Sequence, residues 1–178
     1  MLTIRDFEDA DWPRIYPIFT AIVAAGDTYA YPDGLTSDEA RRYWVAAPPG
    51  RTVVATESGA IVGTATMGPN RPGRGSHVAT ASFMVAPEHQ GKGVGRALGV
   101  YVVEAARAAG YRSIQFNAVV ETNTAAVGLW ESLGFEILAT IPEAFDHREH
   151  GLVGLHVMHR PLVEAAPEAN SAPRPRST

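Results

Sequence analysis

Three glycines alternate with other residues in Gln90-Gly91-Lys92-Gly93-Val94-Gly95-Arg96. Glycine lets a backbone approach a bulky anion and adopt turns that other residues resist. Leu98, Val102, Ala105 and Ala109 follow at the spacing of one helix face. The helix they predict directs its free N–H groups and the positive end of its dipole at the glycines. That is the chemistry of a phosphate or pyrophosphate site, to which Lys92 and Arg96 add charge. Two common phosphate patterns are absent. The stretch lacks the Gly-Lys-Ser/Thr ending of a P-loop, and its Gly-x-Gly-x-Gly spacing differs from the dinucleotide fingerprint Gly-x-Gly-x-x-Gly. Taken alone, the stretch also reads as a plain glycine-rich turn.

Other chemistries are poorly supplied. The chain of 178 residues contains 0 cysteines, so disulfides, thiolate metal sites and cysteine nucleophiles are excluded. No Gly-x-Ser-x-Gly occurs. The 6 histidines include His147-Arg148-Glu149-His150, which is not His-Glu-x-x-His. His156 and His159 lie on a predicted strand, where positions three apart face opposite ways. No metal site is expected. With 15 basic and 19 acidic residues the net charge is -4, which disfavours a nucleic-acid partner. No apolar run is long enough to span a bilayer, and Met1-Leu2-Thr3-Ile4-Arg5-Asp6 lacks the order of a signal peptide. The expectation is a soluble cytoplasmic protein with neither membrane nor nucleic acid as partner. The loop with Arg71 and Arg74 reads as exposed and flexible.

These residues need elements to position them. Leu2 to Arg5 reads as a first strand. Asp9 and Asp11 are N-cap candidates for a helix carrying Ile15, Phe19 and Ile22 on one face. Pro13 suits its first turn, whereas Pro17 predicts a kink or a late start. Thr36-Ser37-Asp38-Glu39 matches a capping box and starts a second helix running to about Ala46. Arg51–Thr56 and Ile61–Met67, joined by Ser58-Gly59, form a hairpin. A Gly/Pro/Arg-rich loop occupies 68–76, and His77 to Val85 is a fourth strand. After the long helix, which Gly110 closes, Ser113 to Val119 is a fifth strand. Ala126, Trp130 and Leu133 mark a short helix ended by Gly134. Phe135–Ile141 is a strand, Pro142–Gly151 a loop and Leu152–Met158 the last strand. The order predicts a mixed α/β fold: about seven strands, mainly antiparallel, flanked by about four helices. The fourth and fifth strands are parallel across the long helix. Residues 1–162 form one domain. Residues 163–178, rich in Pro, Ala and polar types from Glu164 onward, are expected to be a disordered tail.

The glycine stretch follows Phe83-Met84-Val85-Ala86-Pro87, and Asn123-Thr124-Ala125-Ala126 leads to Trp130 and Leu133-Gly134-Phe135. Together they resemble the GNAT superfamily of acetyl-CoA-dependent N-acetyltransferases. Its signature is Gln/Arg-x-x-Gly-x-Gly/Ala after a strand ending in Val-x-Pro, followed by Asn-x-x-Ala, an aromatic and Leu-Gly-Phe. The resemblance spans residues 2–160 in element order and is most specific from Ser82 to Phe135. Phe116-Asn117, Glu121-Thr122-Asn123 and Trp130 further resemble the fungal and bacterial acetyltransferases of azetidine-2-carboxylate, a proline analogue.

The resemblance implies acetyl-CoA as co-substrate, lying in a V-shaped opening where the fourth and fifth strands part. Phe83, Met84 and Val85 would offer main-chain groups to its pantetheine arm. Gln90, Gly91, Lys92, Gly93, Val94, Gly95 and Arg96 would hold its pyrophosphate, and Asn123 its arm. An N–H near Val85 would stabilise the oxyanion as an amine attacks the thioester. Many family members carry a general-acid tyrosine where this chain has Trp130. An indole N–H donates a hydrogen bond but transfers no proton at useful pH, so Trp130 reads as a wall of the thioester pocket. The fourth strand also lacks the glutamate that serves many members as base. Glu88 follows the strand and points to solvent. A water held by Thr80, Ser82 or Asn117 is the expected route for the ammonium proton. Asn117, beside Ala118, is also placed to orient a small substrate, against the alternative of an amide satisfied by its neighbours. Tyr29, Tyr31 and Phe145 would wall the acceptor pocket. The expected function is acetyl transfer to the amine of a small molecule, an amino acid or toxic proline analogue, by a homodimeric enzyme. A protein N-terminal or lysine acetyltransferase and a non-catalytic acetyl-CoA module are the alternatives.

Overall fold

The computed structural model describes residues 1–163, so the expected tail lies outside the described residues apart from Val163. The strands are β1 (Thr3–Asp6), β2 (Arg51–Glu57), β3 (Ala60–Pro69), β4 (Val78–Val85), β5 (Ser113–Val120), β6 (Glu136–His147) and β7 (Gly151–Pro161). The helices are α1 (Trp12–Ala25), α2 (Ser37–Trp44), α3 (Val94–Ala108) and α4 (Thr124–Ser132). The seven strands form one sheet in the order β1-β2-β3-β4-β5-β7-β6. Every pairing is antiparallel except β4 with β5. The expected mixed α/β architecture is therefore observed.

Local chemistry explains most element boundaries. Ser58 and Gly59, both at positive φ (50° and 82°), make the tight turn between β2 and β3. Thr36 accepts from the Glu39 N–H, and the Glu39 carboxylate accepts from the Thr36 N–H at 2.9 Å, the reciprocal box that starts α2. Helix α1 departs from expectation. It begins at Trp12 and runs through Pro17 to a left-handed Gly26. Proline removes one N–H from the ladder, while Ile15, Phe19 and Ile22, buried in one core, hold the helix on the sheet. The loop expected at 142–151 is also shorter. Strand β6 continues through Pro142 to His147, with its register shifted between Ile141 and Phe145. It is the sheet's edge strand, where a bulge accommodates a proline without a lost ladder bond. In α3 the buried face runs through Leu98, Val102 and Ala106, whereas Ala109 is exposed.

The sheet is covered on both faces. Val53, Ala65, Ile114 and Met158 pack with Leu98, Val102 and Trp130 beneath α3 and α4. Val54, Ile61 and Met84 pack with Phe19, Ile22 and Trp44 beneath α1 and α2. Trp44 lies completely buried, and its indole N–H donates to Thr64 Oγ1 at 3.1 Å. The Thr64 hydroxyl in turn donates to the Val53 carbonyl at 2.8 Å. Among the described residues no helix is long and apolar enough to cross a membrane.

The Trp44–Thr64–Val53 chain generates a stability prediction. Thr64→Val keeps the volume and strands a buried indole N–H, which costs about 1–3 kcal/mol. A lowered denaturation midpoint in urea, with an unchanged slope, checks it.

Candidate active site

Strands β4 and β5 pair only at Val78 with Ser113 and Ala79 with Ile114, and then part. β5 turns instead to β7, with an irregularity between Phe116 and Val119 that leaves Asn117 and Ala118 outside the ladder. Aromatic rings fill the fork. Phe83 on β4 meets Phe116 on β5 edge-on at 5.9 Å, and Trp130 packs against them at 4.6 Å and 5.0 Å. Gly99 of α3 makes room for this wedge, because a Cβ there would lie 3.0 Å from the Trp130 ring and 2.7 Å from Leu133. A polar clasp ties the vertex. The Asn117 amide nitrogen donates to Asn70 Oδ1 at 2.7 Å and lies 3.5 Å from Thr80 Oγ1, and the Asn117 oxygen accepts from Gln115 at 2.8 Å.

The fork opens into a cleft of about 1120 Å³. The glycine loop borders one part of it. Gly91 and Gly93 stand at φ 71° and 86°, the left-handed region that favours glycine, and nothing approaches where their Cβ atoms would sit. Gly93 is the N-cap of α3, without any side-chain cap, so the first-turn N–H groups of the helix stay available. Gln90, Gly91, Gly93, Gly95 and Arg96 line the cleft. The Arg96 guanidinium is braced on Ser132 Oγ at 2.7 Å. Two sequence candidates stand differently. Lys92 is exposed and outside the cleft lining, and the Val94 side chain is buried in the core. Val94 therefore brings only main-chain groups. Asn123 caps α4, accepting from the Ala126 N–H at 3.1 Å, and borders the cleft.

On β4 the Ala86 N–H goes to Val62 on β3. Alternation then turns the main-chain groups of Phe83 and Val85 toward the open side. Met84 also borders the cleft, although its side chain is buried in the opposite core. The Tyr29 hydroxyl caps Phe83 twice, donating to its carbonyl at 2.6 Å and accepting from its N–H at 2.9 Å. Tyr29 stacks on Tyr31 at 5.3 Å and meets Trp44 edge-on at 6.0 Å. Desolvation, and then the neighbouring Tyr31, push the Tyr29 phenol well above its ordinary pKa. Tyr31, Thr80, Asn117, Ala118 and Phe145, the residues expected at the acceptor end, also line the cleft. His147, in the stretch 144–148 that the sequence placed at this side of the pocket with Phe145 as its named wall, also lines the cleft. Among the described residues no group of three or more His, Asp or Glu could hold a metal.

Comparison with known proteins agrees with this geometry. The model of the acetyltransferase (GNAT) family matches residues 8–135. A GCN5-related N-acetyltransferase of Kribbella flavida is 58% identical, with a TM-score of 0.87 over 90% of this chain and 97% of that one. A phosphinothricin acetyltransferase of Sinorhizobium meliloti, solved in complex with acetyl-CoA, is 26% identical, with a TM-score of 0.80 over 90% of this chain and 88% of that one. The L-methionine sulfoximine/L-methionine sulfone acetyltransferase of Pseudomonas paraeruginosa is 33% identical over 147 residues, 79% of this chain and 84% of its own. The chain spans about half the length of other curated relatives, which are 34–36% identical to it.

The doubly bonded phenol gives the cleft a pH signature. With its folded pKa raised, Tyr29 keeps its proton where the unfolded chain releases it. Its contribution to stability is therefore fully present below about pH 10 and falls as the pH rises further. Tyr29→Phe flattens that alkaline fall and lowers stability at neutral pH, as thermal melting across about pH 8 to 11 checks.

Proposed function

We propose that this chain, which belongs to the acetyltransferase (GNAT) family, moves the acetyl group of acetyl-CoA onto the amine of a free amino acid or a toxic analogue such as azetidine-2-carboxylate. The transfer is a direct attack in a ternary complex in the cytoplasm. The observation that carries this reading is the fork, whose unpaired β4 edge leads straight to the open glycine loop and the start of α3. Relatives named for methionine sulfoximine and phosphinothricin support a small amino-acid-like acceptor.

The chain's own groups fit that chemistry. Gly91, Gly93 and Gly95, with the first N–H groups of α3, hold the pyrophosphate, and Gln90 and Arg96 flank it. Lys92 contributes charge from the solvent side. Of the three β4 residues expected to serve the pantetheine arm, Val85 offers it main-chain partners, whereas the Phe83 pair is taken by the Tyr29 hydroxyl and the Met84 groups face β3; Asn123 meets the arm from α4. The Val85 N–H donates to the oxygen that becomes negative as the amine attacks. Trp130 closes the thioester pocket without a proton to give, and a departing thiolate is stable enough to leave without a dedicated acid. Thr80 and Ser82 hold the water that takes the ammonium proton. Asn117, fixed by Asn70 and Gln115, orients Thr80 and the acceptor. Tyr29, Tyr31, Ala118 and Phe145 wall the part of the cleft that takes the amine.

Thiol release from acetyl-CoA tests the reading against azetidine-2-carboxylate, proline, methionine sulfone and peptides with free N-termini or lysines. The expected result is release with one or more of the amino acids. kcat/KM rises along a single pH limb set by the substrate amine, and Glu88→Gln leaves the profile unchanged. Release with peptides alone, or coenzyme binding without release on any amine, overturns it.

The same reading includes a homodimer. Edge strand β6 exposes Ile137, Leu138 and Ile141, and Leu152 of β7 adds a fourth large apolar side chain, a combination that association covers. Sedimentation is expected to give a dimer, and Leu138→Asp with Ile141→Asp to give a monomer.

A further inference from the structure

The acceptor end of the cleft contains one polar ring whose hydrogen bonds define its chemistry. His147 closes β6 and is only 8% exposed. Its Nδ1 accepts from two main-chain donors, the Glu149 N–H at 3.1 Å and the His150 N–H at 3.2 Å. A neutral imidazole carries one proton. With Nδ1 committed as acceptor, these bonds assign that proton to Nε2. Nε2 makes no hydrogen bond among the described residues, and it is not among the enclosed orphan atoms. His147 forms part of the cleft wall, and its remaining N–H is taken as the group it presents there.

The ring is held firmly. His150 packs against it, tilted by 33°, at 4.5 Å, and Phe145 meets it edge-on at 6.3 Å. The turn that supplies its two donors is pinned to the end of α1, where the Arg148 N–H donates to the Gly26 carbonyl at 3.0 Å. A ring fixed in this way has no lone pair free to take a proton from an ammonium group. Its free ring atom is a donor. Of the cleft's charged side chains, Arg96 belongs to the glycine loop, and Asp27 follows Gly26, the residue to which this turn is pinned. Tyr31, Ala118, Phe145 and Leu155 give the pocket its apolar lining.

We propose that His147 donates its Nε2–H to the carboxylate of the acceptor and thereby selects free α-amino acids over amines that lack that group. The proposal rests on the acetyl-transfer reading above and names the part of the acceptor that the cleft recognises. A hydrogen bond from a fixed neutral donor to a carboxylate differs from an ion pair. It orients the acceptor without attracting every anion, and it demands a matching lone pair at one place.

The test compares azetidine-2-carboxylate and proline with azetidine and pyrrolidine, which lack only the carboxylate, in wild type, His147→Leu and His147→Gln. The expected result is a wild-type preference for the acids. His147→Leu lowers kcat/KM for the acids about 10- to 100-fold, mainly through KM, and leaves the decarboxylated amines unchanged. His147→Gln, which offers an amide N–H but no base, restores most of the loss. Equal losses on acids and amines, or failure of glutamine to rescue, overturn the proposal. If His147→Leu does not fold, equal wild-type turnover of acids and decarboxylated amines overturns it, and a preference for the acids together with an active His147→Gln supports it. Coenzyme release on both amine classes without discrimination defeats this inference alone, whereas silence on every amine defeats the acetyl-transfer reading as well.

Discussion

The molecule depends on two neighbouring strands that stop pairing. Main-chain N–H and C=O groups are obligatory hydrogen-bonding partners, and leaving them unpaired is costly where water is excluded. β4 and β5 abandon each other after Ala79 and Ile114, and the separation is held by a rigid wedge. Phe83, Phe116 and Trp130 interlock at 4.6 to 5.9 Å between the two strands, so closing the fork would mean expelling three packed rings from a dense interior. The strand edge so freed is the surface that the proposed function uses, and the tyrosine hydroxyl on Phe83 shows the kind of partner it accepts: one donor and one acceptor together.

The rest of the architecture aligns a second feature with that edge. β4 runs directly into the glycine loop and α3, so the strand's unpaired groups and the helix's free N–H groups form one continuous track. The α3 face bearing Leu98, Val102 and Ala106 fixes the helix on the sheet. Gly99 lets α4 come close enough for Trp130 to reach the fork. Core packing and site geometry are thus the same contacts seen from opposite sides.

Much of this was legible in the sequence, because local patterns carry it. The Thr36–Glu39 box, the Ser58-Gly59 turn and the glycine loop are chemistry between near neighbours, and each stands where its residue types place it. What escaped depends on distance along the chain. Nothing local links Tyr29 to Phe83, 54 positions away, or Asn117 to Asn70, 47 positions away. Pro142 argued for a loop because its missing N–H bars it from a central strand, and only the sheet order shows that β6 is an edge. Lys92 read as an anion ligand from charge alone, whereas its exposed place outside the cleft lining follows from the turn between two left-handed glycines. The chemistry of His147 rests on two hydrogen bonds made by residues two and three further on, and a composition-level reading of histidines passes over it.

The cleft is assembled from two unequal inheritances. On the proposed reading its coenzyme half comes from one stretch, from β4 to α4, and lies wholly within residues 8–135, which the family model matches. Much of its acceptor half, including Phe145, His147 and Leu155, comes from the final hairpin beyond that span. The hairpin is fastened to the helix end at Gly26 by the Arg148 main chain, rather than to the glycine loop. Such a division lets the wall that chooses the customer be recut while the grip on the donor stays as it was. On the proposed reading, two chains with the same signature serve different amines by differing in the hairpin that follows it as well as at Tyr29, Tyr31 and Asn117 within it.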